Sequence, residues 1–269
     1  VMSVIRPPAV AGMFYPAESG QLSLDVRQLL AQARAHHLHP KALIVPHAGY
    51  VYSGAVAATA YAALLPIAAR IHRVVLLGPT HRVAVRGLSI PDAQAFDTPL
   101  GRVRLDVKAM SSIAHFPQVV TSNEAHAREH SLEVQLPFLQ SVLDDFMLLP
   151  LAVGMATAEE VAEVLEAVWG GDETLIVISS DLSHYLPYAT AQLVDAQTAD
   201  RILHLKQPIA HDHACGGTPV SGLIVAAKKH RLTPHLLDLR NSGDTAGSHD
   251  QVVGYAAFAF TKEKDHVRH

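Results

Sequence analysis

The chain has 269 residues, of which 49% are hydrophobic and 17% charged, and a formal net charge of -4. A chain of this size can bury roughly 73% of its extended surface, so a disordered overall state is ruled out, as is a life spent on a polyanion such as nucleic acid. No segment reaches the ~18 uninterrupted apolar residues that a membrane span needs; the longest candidate, residues 55–69, is broken by Thr59 and Pro66.

The opening VMSVIRPPAVAGMFYP offers no h-region for secretion, because Pro7, Pro8 and Gly12 interrupt its only apolar stretch. With a lone Cys215 unable to form an internal disulfide, a cytoplasmic location is expected. Val1 ahead of Met2 reads as an added residue. A polar helix is expected before the AHHLHP cluster of His36, His37 and His39, which reads as surface. Buried strands are then predicted at 41–46, 73–78, 146–153, 173–180 and 252–260, as short apolar β-branched runs closed by polar or Gly/Pro turns. Helices are predicted at 54–65, 131–143, 157–168, 189–205 and 218–230, the third opened by the capping-box pair Thr157 and Glu160. Residues 86–107 read as shorter strands around an FDTPLG turn, an antiparallel addition. The alternation predicts an α/β fold, an open, sandwich-like sheet with helices on both faces. One domain over 1–269 is expected, with a core of 6–260 and a charged tail at 261–269.

Histidine is the unusual component, with 18 against 21 Lys and Arg together. Three predicted strands run into polar turns with site-type residues: LIVPHAGYVYSG with His47, VVLLGPTHR with His81, and LIVISSDLSHY with Asp181 and His184. Ligand crevices in open α/β sheets lie outside the carboxyl ends of the strands. His47 and His81 are one crossover unit apart, so on neighbouring strands their imidazoles would converge on one ion. Each histidine alone could equally be satisfied by loop backbone; three in equivalent places favour a shared site.

RPPAVAGMFYP, VPHAGYVYSG, LLGPTHR, EHSLEVQLPFL, ISSDLSHY, CGGTPVSG and VVGYAAFAF together resemble the Memo-like proteins, similar in fold to class III extradiol dioxygenases. The resemblance spans residues 6–260 and implies a metal pocket built from strand-end residues. It makes His47 and His81 metal-site residues and gives His184 the position of the dioxygenases' catalytic base. Two His and one carboxylate on one face of Fe(II) leave positions open for substrate oxygens and O₂. Asp181 would orient His184 through its other ring nitrogen, or else serve as a turn residue. Where family members often carry a Cys, this chain has Thr245, a poor ligand. The adjacent Asp244 is the favoured third ligand, with His249 and Asp250 as alternatives and a plain SGD turn as the competing reading.

HAREH at 126–130 fits the H-x-x-E-H pattern of one zinc protease class. Its last two residues open EHSLEVQLPFL, where His130 and Glu133 could share one helix face toward the pocket, giving His130 a substrate or supporting contact. Cys215 reads as a pocket thiol or, more readily, a small residue in a tight turn; Tyr50 and Tyr52 flank the His47 turn. The function expected is a metal-dependent oxidoreductase of the extradiol type. It would use Fe(II), with zinc or copper as alternatives, on a small dihydroxylated aromatic ligand. A metal-dependent hydrolase and a non-catalytic metal- or ligand-binding protein are the competing functions. No nucleic-acid or membrane partner is expected.

Overall fold

The computed structural model describes residues 4–263, so Val1 and residues 264–269 of the expected tail lie outside the described part. From the N-terminus run β1 (Ile5–Arg6), α1 (Ser19–Gln32), β2 (Pro40–Val45), α2 (Tyr50–Ala62) and β3 (Arg73–Pro79). Next come β4 (Leu88–Ile90), β5 (Ala95–Thr98), β6 (Gly101–Arg104), α3 (Val107–Ile113), β7 (Val119–Thr121) and the one-turn helices α4 (Glu124–Ala127) and α5 (His130–Glu133). The remainder is α6 (Leu136–Val142), β8 (Met147–Val153), α7 (Ala158–Ala167), β9 (Thr174–Ser179), β10 (His184–Leu186), α8 (Tyr188–Leu203), α9 (Gly217–Lys229), β11 (Leu232–Asn241) and β12 (Val252–Lys262).

The main sheet has the order β10-β12-β2-β9-β3-β8-β4-β7, with β11 on the other side of β12. Its centre is parallel: β2 pairs β9, β9 pairs β3 and β3 pairs β8, while β12 runs antiparallel to β2. These are the strands whose apolar runs are continuous. Leu43, Val75, Leu77, Ile176 and Ile178 are sealed from solvent, each such side chain contributing about 1.5–3 kcal/mol relative to exposure. Helices flank the sheet, with α1, α2 and α6 packed together and α7 paired with α9. The Thr157–Glu160 capping box forms as expected at the start of α7.

β2 and β3 are not neighbours, because β9 lies between them. The registers Val45↔Ser179 and Leu77↔Ile178 align the three carboxyl ends, so the turns leaving β2 and β3 meet over the end of β9. The 86–107 region divides: β4 joins the main sheet, whereas β5 and β6 form a hairpin that pairs with β1 in a separate sheet. The helix expected over 131–143 is two short ones, with Pro137 in the first turn of α6. β12 extends through Lys262, so the tail's first residues are strand.

Candidate metal centre

β2 ends at Val45 and Pro46 leads directly to His47, which is 1% exposed. His81 comes after β3 and Thr80, and His130 opens α5. The rings of His47 and His81 have centroids 5.2 Å apart, His47 and His130 5.4 Å, and His81 and His130 4.5 Å. One ring nitrogen from each lies within 4.8 Å of the other two, a spacing that can hold a metal ion. α5 reaches this place because Gly78 leaves room for it: a Cβ on Gly78 would stand 2.8 Å from Ser131 Oγ. Ser131 Oγ in turn donates to the Pro79 carbonyl at 2.8 Å, tying the start of α5 to the end of β3.

The hydrogen bonds fix which nitrogen of His47 is free. Gln135 Nε2 donates to the Pro46 carbonyl at 2.9 Å, which orients the amide, and also to Ser179 Oγ at 3.0 Å. Tyr61 OH donates to Gln135 Oε1 at 2.6 Å. The only proton of Ser179 Oγ goes to the Ser131 carbonyl at 2.6 Å, since a carbonyl can only accept. Ser179 Oγ must therefore accept from His47 Nδ1–H, at 2.8 Å, which leaves a lone pair on Nε2. His81 is held in the same way: its Nδ1 lies 2.9 Å from Glu129 Oε2, a carboxylate oxygen, so Nδ1 carries a proton and, in the neutral ring, Nε2 carries the lone pair. Glu129 also accepts from the backbone N–H groups of His81 and Ser131. Burial pushes the Glu129 carboxyl up, but the hydrogen bond and charge of His81 and these backbone donors outweigh it and bring it down to about 2. Burial, reinforced by His81, takes His47 down to about 3; burial and the neighbouring His47 and His81 take His130 down to about 4. His47 and His130 are thus neutral near pH 7, the form that coordinates metals.

Asp181, just past β9 and 4% exposed, accepts the His47 backbone N–H on Oδ1 at 2.8 Å and places Oδ2 3.7 Å from His47 Nε2. Burial raises its carboxyl, against the pull of the His47 N–H and of the nearby histidines. Its hydrogen bond thus goes to His47; among the described residues none joins it to His184. His184 sits in β10 against β12, half-buried, close enough to act electrostatically on both His47 and Asp181. Cys215 Sγ lies 3.2 Å from His47 Nε2, and His47, Asp181 and Cys215 form a second group with ligand spacing. Burial, then the charge of Asp181, pushes the thiol up to about 12, so the sulfur carries its proton.

Asp244 is not brought to the imidazoles. Tyr188 OH donates to its Oδ1, and the backbone N–H of Asn241 donates to its Oδ2 at 3.0 Å. With Asn241 it closes a capping box on the one-turn 3-10 helix Ser242–Asp244. His249 stacks on Tyr188 at 4.0 Å and faces the same turn. Asp250 is exposed. Glu133 turns away from the imidazoles: its carboxylate pairs with Arg6 at 2.7 Å and accepts from the N–H groups of Ala9 and Val10 and from Tyr15 OH. That anchor lays the GMFYP turn over the site, with the Phe14 ring 4.6 Å from His130. Tyr50 is half-buried against the core, donating to the Val134 carbonyl, and Tyr52 is exposed. HAREH is not one helix face, since α4 ends at Ala127 and His126 is buried with Nε2 on the Ser89 carbonyl at 2.7 Å. Glu129, Ser179 and Gln135, which hold the imidazole rings, lie within the EHSLEVQLPFL and ISSDLSHY motifs, but sequence reasoning gave none of them a role in orienting those rings.

A family model described as Memo-like protein matches residues 6–259. A MEMO1 family protein of Aquifex aeolicus is 36% identical, covering 95% of this chain and 99% of that relative; one of Methanosarcina barkeri is 36% identical over 94% and 98%. A crystal structure of an uncharacterized protein from Escherichia coli K12 superposes with a TM-score of 0.50 at 15% identity, over 80% of this chain and 98% of that one, and shares the fold alone.

Proposed function

This chain belongs to the Memo-like protein family, and from that premise we propose that it is a metal-dependent oxidoreductase holding one Fe(II) through His47 and His81. His130 completes the face, and the substrate is a small dihydroxylated aromatic. The observation that carries this reading is the convergence of the three imidazoles, with the Nε2 lone pairs of His47 and His81 fixed by acceptors on the far side of each ring. That donor set suits Fe(II), Zn²⁺ or copper. The ion would supply Lewis acidity toward the substrate's oxygens and a binding position for O₂. His184 takes the substrate hydroxyl proton, and the Asp181 carboxylate holds the His47 loop and balances charge. Phe14 over His130 provides an apolar wall for a flat ligand. Among the described residues no helix is long and apolar enough to cross a membrane, and a cytoplasmic setting would keep Cys215 reduced.

Metal analysis of protein purified without oxygen tests the reading. Bound iron with O₂-dependent turnover of a catechol, and at least ~10-fold lower metal occupancy in His47→Ala and His81→Ala with the fold retained, is the expected result. Unchanged metal content in both variants would overturn it. The third imidazole also favours a hydrolytic Zn²⁺ centre, which three His ligands support in other proteins; zinc with O₂-independent hydrolysis would select that function instead.

A further inference from the structure

At the other end of β2 from His47, a cavity of about 800 Å³ lies among the starts of β2, β9 and β11 and the end of β12. Antiparallel pairing gathers these segments: Thr261 of β12 stands beside Pro40 of β2, and Leu232 of β11 beside Lys262 of β12. Lys41, Arg70 and Lys262 line the cavity with three histidines, against the carboxylates of Asp172 and Glu263. In a chain of net charge -4, that is a local excess of positive charge. Lys41 is 4% exposed, and its ammonium donates to the carbonyls of Trp169, Gly171 and Thr174 at 2.6, 2.9 and 2.9 Å. Among the described residues it has no ion pair. Burial, then the charge of Lys262, brings it down to about 8; Arg73 pushes the same way, and Glu173 and Asp172 oppose. Arg70, exposed at the end of the 3-10 helix Leu65–Arg70, has no side-chain hydrogen bond or ion pair among the described residues.

Asp172 shows where these charges converge. Lys262 Nζ donates to its Oδ1 at 2.8 Å, and Lys262, then Arg70 and Lys41, hold its carboxyl below the usual range. We propose that this cavity binds a small organic phosphate, its head taken by Arg70 and Lys262 in exchange for Asp172 and its apolar body lying against Leu38 and Ile67, which also line the cavity. The site is separate from the metal-binding reading above and does not rest on it. Two side-chain cations and a buried ammonium suit a doubly charged head, and a planar guanidinium takes phosphate oxygens two at a time. Lys41 keeps its three carbonyls, so it acts on the head by charge and not by hydrogen bond. A partly dehydrated ammonium acts more strongly there than a solvated one. An entering anion in turn favours the protonated form of Lys41, so binding above its lowered value takes up a proton.

Calorimetric titration of the full chain with hexyl phosphate, heptanoate and hexanol at about pH 8.5, where the phosphate head is doubly charged, tests the site. Hexyl phosphate should bind at least ~10-fold tighter than heptanoate, and hexanol should give no measurable heat. Arg70→Gln should weaken hexyl phosphate at least ~10-fold. Asp172→Asn should strengthen it ~2–5-fold by freeing Lys262. Both side chains are exposed, so these variants keep the fold. His47→Ala, which alters the imidazole site, should leave the affinity within about twofold. Titrations in buffers of different ionisation heat should show proton uptake by wild type, a measurement that needs no variant to fold, and none by Lys41→Met. No binding of hexyl phosphate, equal binding of heptanoate, wild-type binding without proton uptake, weaker binding in Asp172→Asn, or loss of binding in His47→Ala would each overturn the site. None of these results, apart from the last, touches the metal-binding reading; the last would move the phosphate to the imidazoles.

Discussion

Replacing Glu129 by Gln preserves size and shape while removing the charge that sets the His81 tautomer. In the native protein Oε1 accepts the His81 backbone N–H, and Oε2 accepts both His81 Nδ1–H at 2.9 Å and Ser131 N–H at 3.0 Å. A Gln amide has one acceptor oxygen. With NH₂ in the Oε2 place, donors face donors at Ser131 and His81 Nδ1; with NH₂ in the Oε1 place, the His81 backbone N–H loses its acceptor. Each buried donor left unsatisfied costs about 1–3 kcal/mol, so the metal-free fold should lose stability in that range. With NH₂ in the Oε2 place, the His81 side is relieved by moving its proton from Nδ1 to Nε2, so that Nδ1 accepts from the new NH₂, and this removes the lone pair an ion requires. Metal affinity should therefore fall ~10–100-fold, or about 1.4–2.7 kcal/mol. Anaerobic Co²⁺ titration against a chromophoric chelator measures the affinity, and urea melts of the metal-free proteins measure the stability. A destabilised Glu129→Gln protein that binds cobalt as tightly as wild type would refute the tautomer argument.

His184→Ala should retain metal and lose roughly 10²–10⁴ in turnover, the usual contribution of a positioned acid or base; metal loss on that substitution would make His184 a ligand. Asp244→Asn should leave iron affinity near wild type and lower stability by about 0.5–2 kcal/mol through the weakened cap, read by iron titration and thermal melts. A large affinity loss with the fold intact would return Asp244 to the ligand set. Lys41 donates to the carbonyls of Trp169, Gly171 and Thr174, and burial, then the charge of Lys262, brings it down from its ordinary 10.5 to about 8. Between those values the unfolded chain binds more protons than the folded one, so this group makes stability rise with pH from 8 to 10.5, by up to ~3 kcal/mol. Lys41→Met should flatten that part of the wild-type stability curve, and an unchanged slope in denaturant melts would show that Lys41 is not the cause.

The parallel core was legible because burial on both faces leaves a continuous apolar run, as in TLIVIS of β9 and RVVLLGP of β3. β11 was not, since among the described residues LTPHLLDLRN pairs on one side only, with β12, and is half-buried along most of its length; its Pro234 and charges suit an edge but erase the apolar signal. That His47, His81 and Asp181 lie together just past the buried strands was legible because strand ends are where this architecture places polar groups. Their mutual geometry was not, because strand order is invisible to a local pattern, and β9 intervenes between β2 and β3. Asp244 shows the limit most plainly. Adjacency to a matched position says nothing about which way a side chain points, whereas Asn241 and Asp244, three apart, carry the reciprocal spacing of a capping pair, and that pattern describes what the carboxylate does.

The balance of charge explains why the ion site does not need Asp244. Two buried carboxylates already touch the imidazoles from outside: Glu129 behind His81 and Asp181 beside His47, 3% and 4% exposed. His47 and His130, driven down by burial and by each other's neighbours, contribute no positive charge near pH 7. Arg6, which donates to the Glu129 carbonyl, has its charge paired with Glu133. Without an ion, neutral rings face the Glu129 carboxylate and the buried Asp181 carboxyl, and a divalent cation among the imidazoles would draw both to the ionised form that offsets its charge. A third carboxylate would overshoot, adding a buried anion with no partner and its own desolvation cost. Asp244 serves better where it is, on the turn that leads into β12, with its charge shared by a tyrosine hydroxyl and a backbone amide.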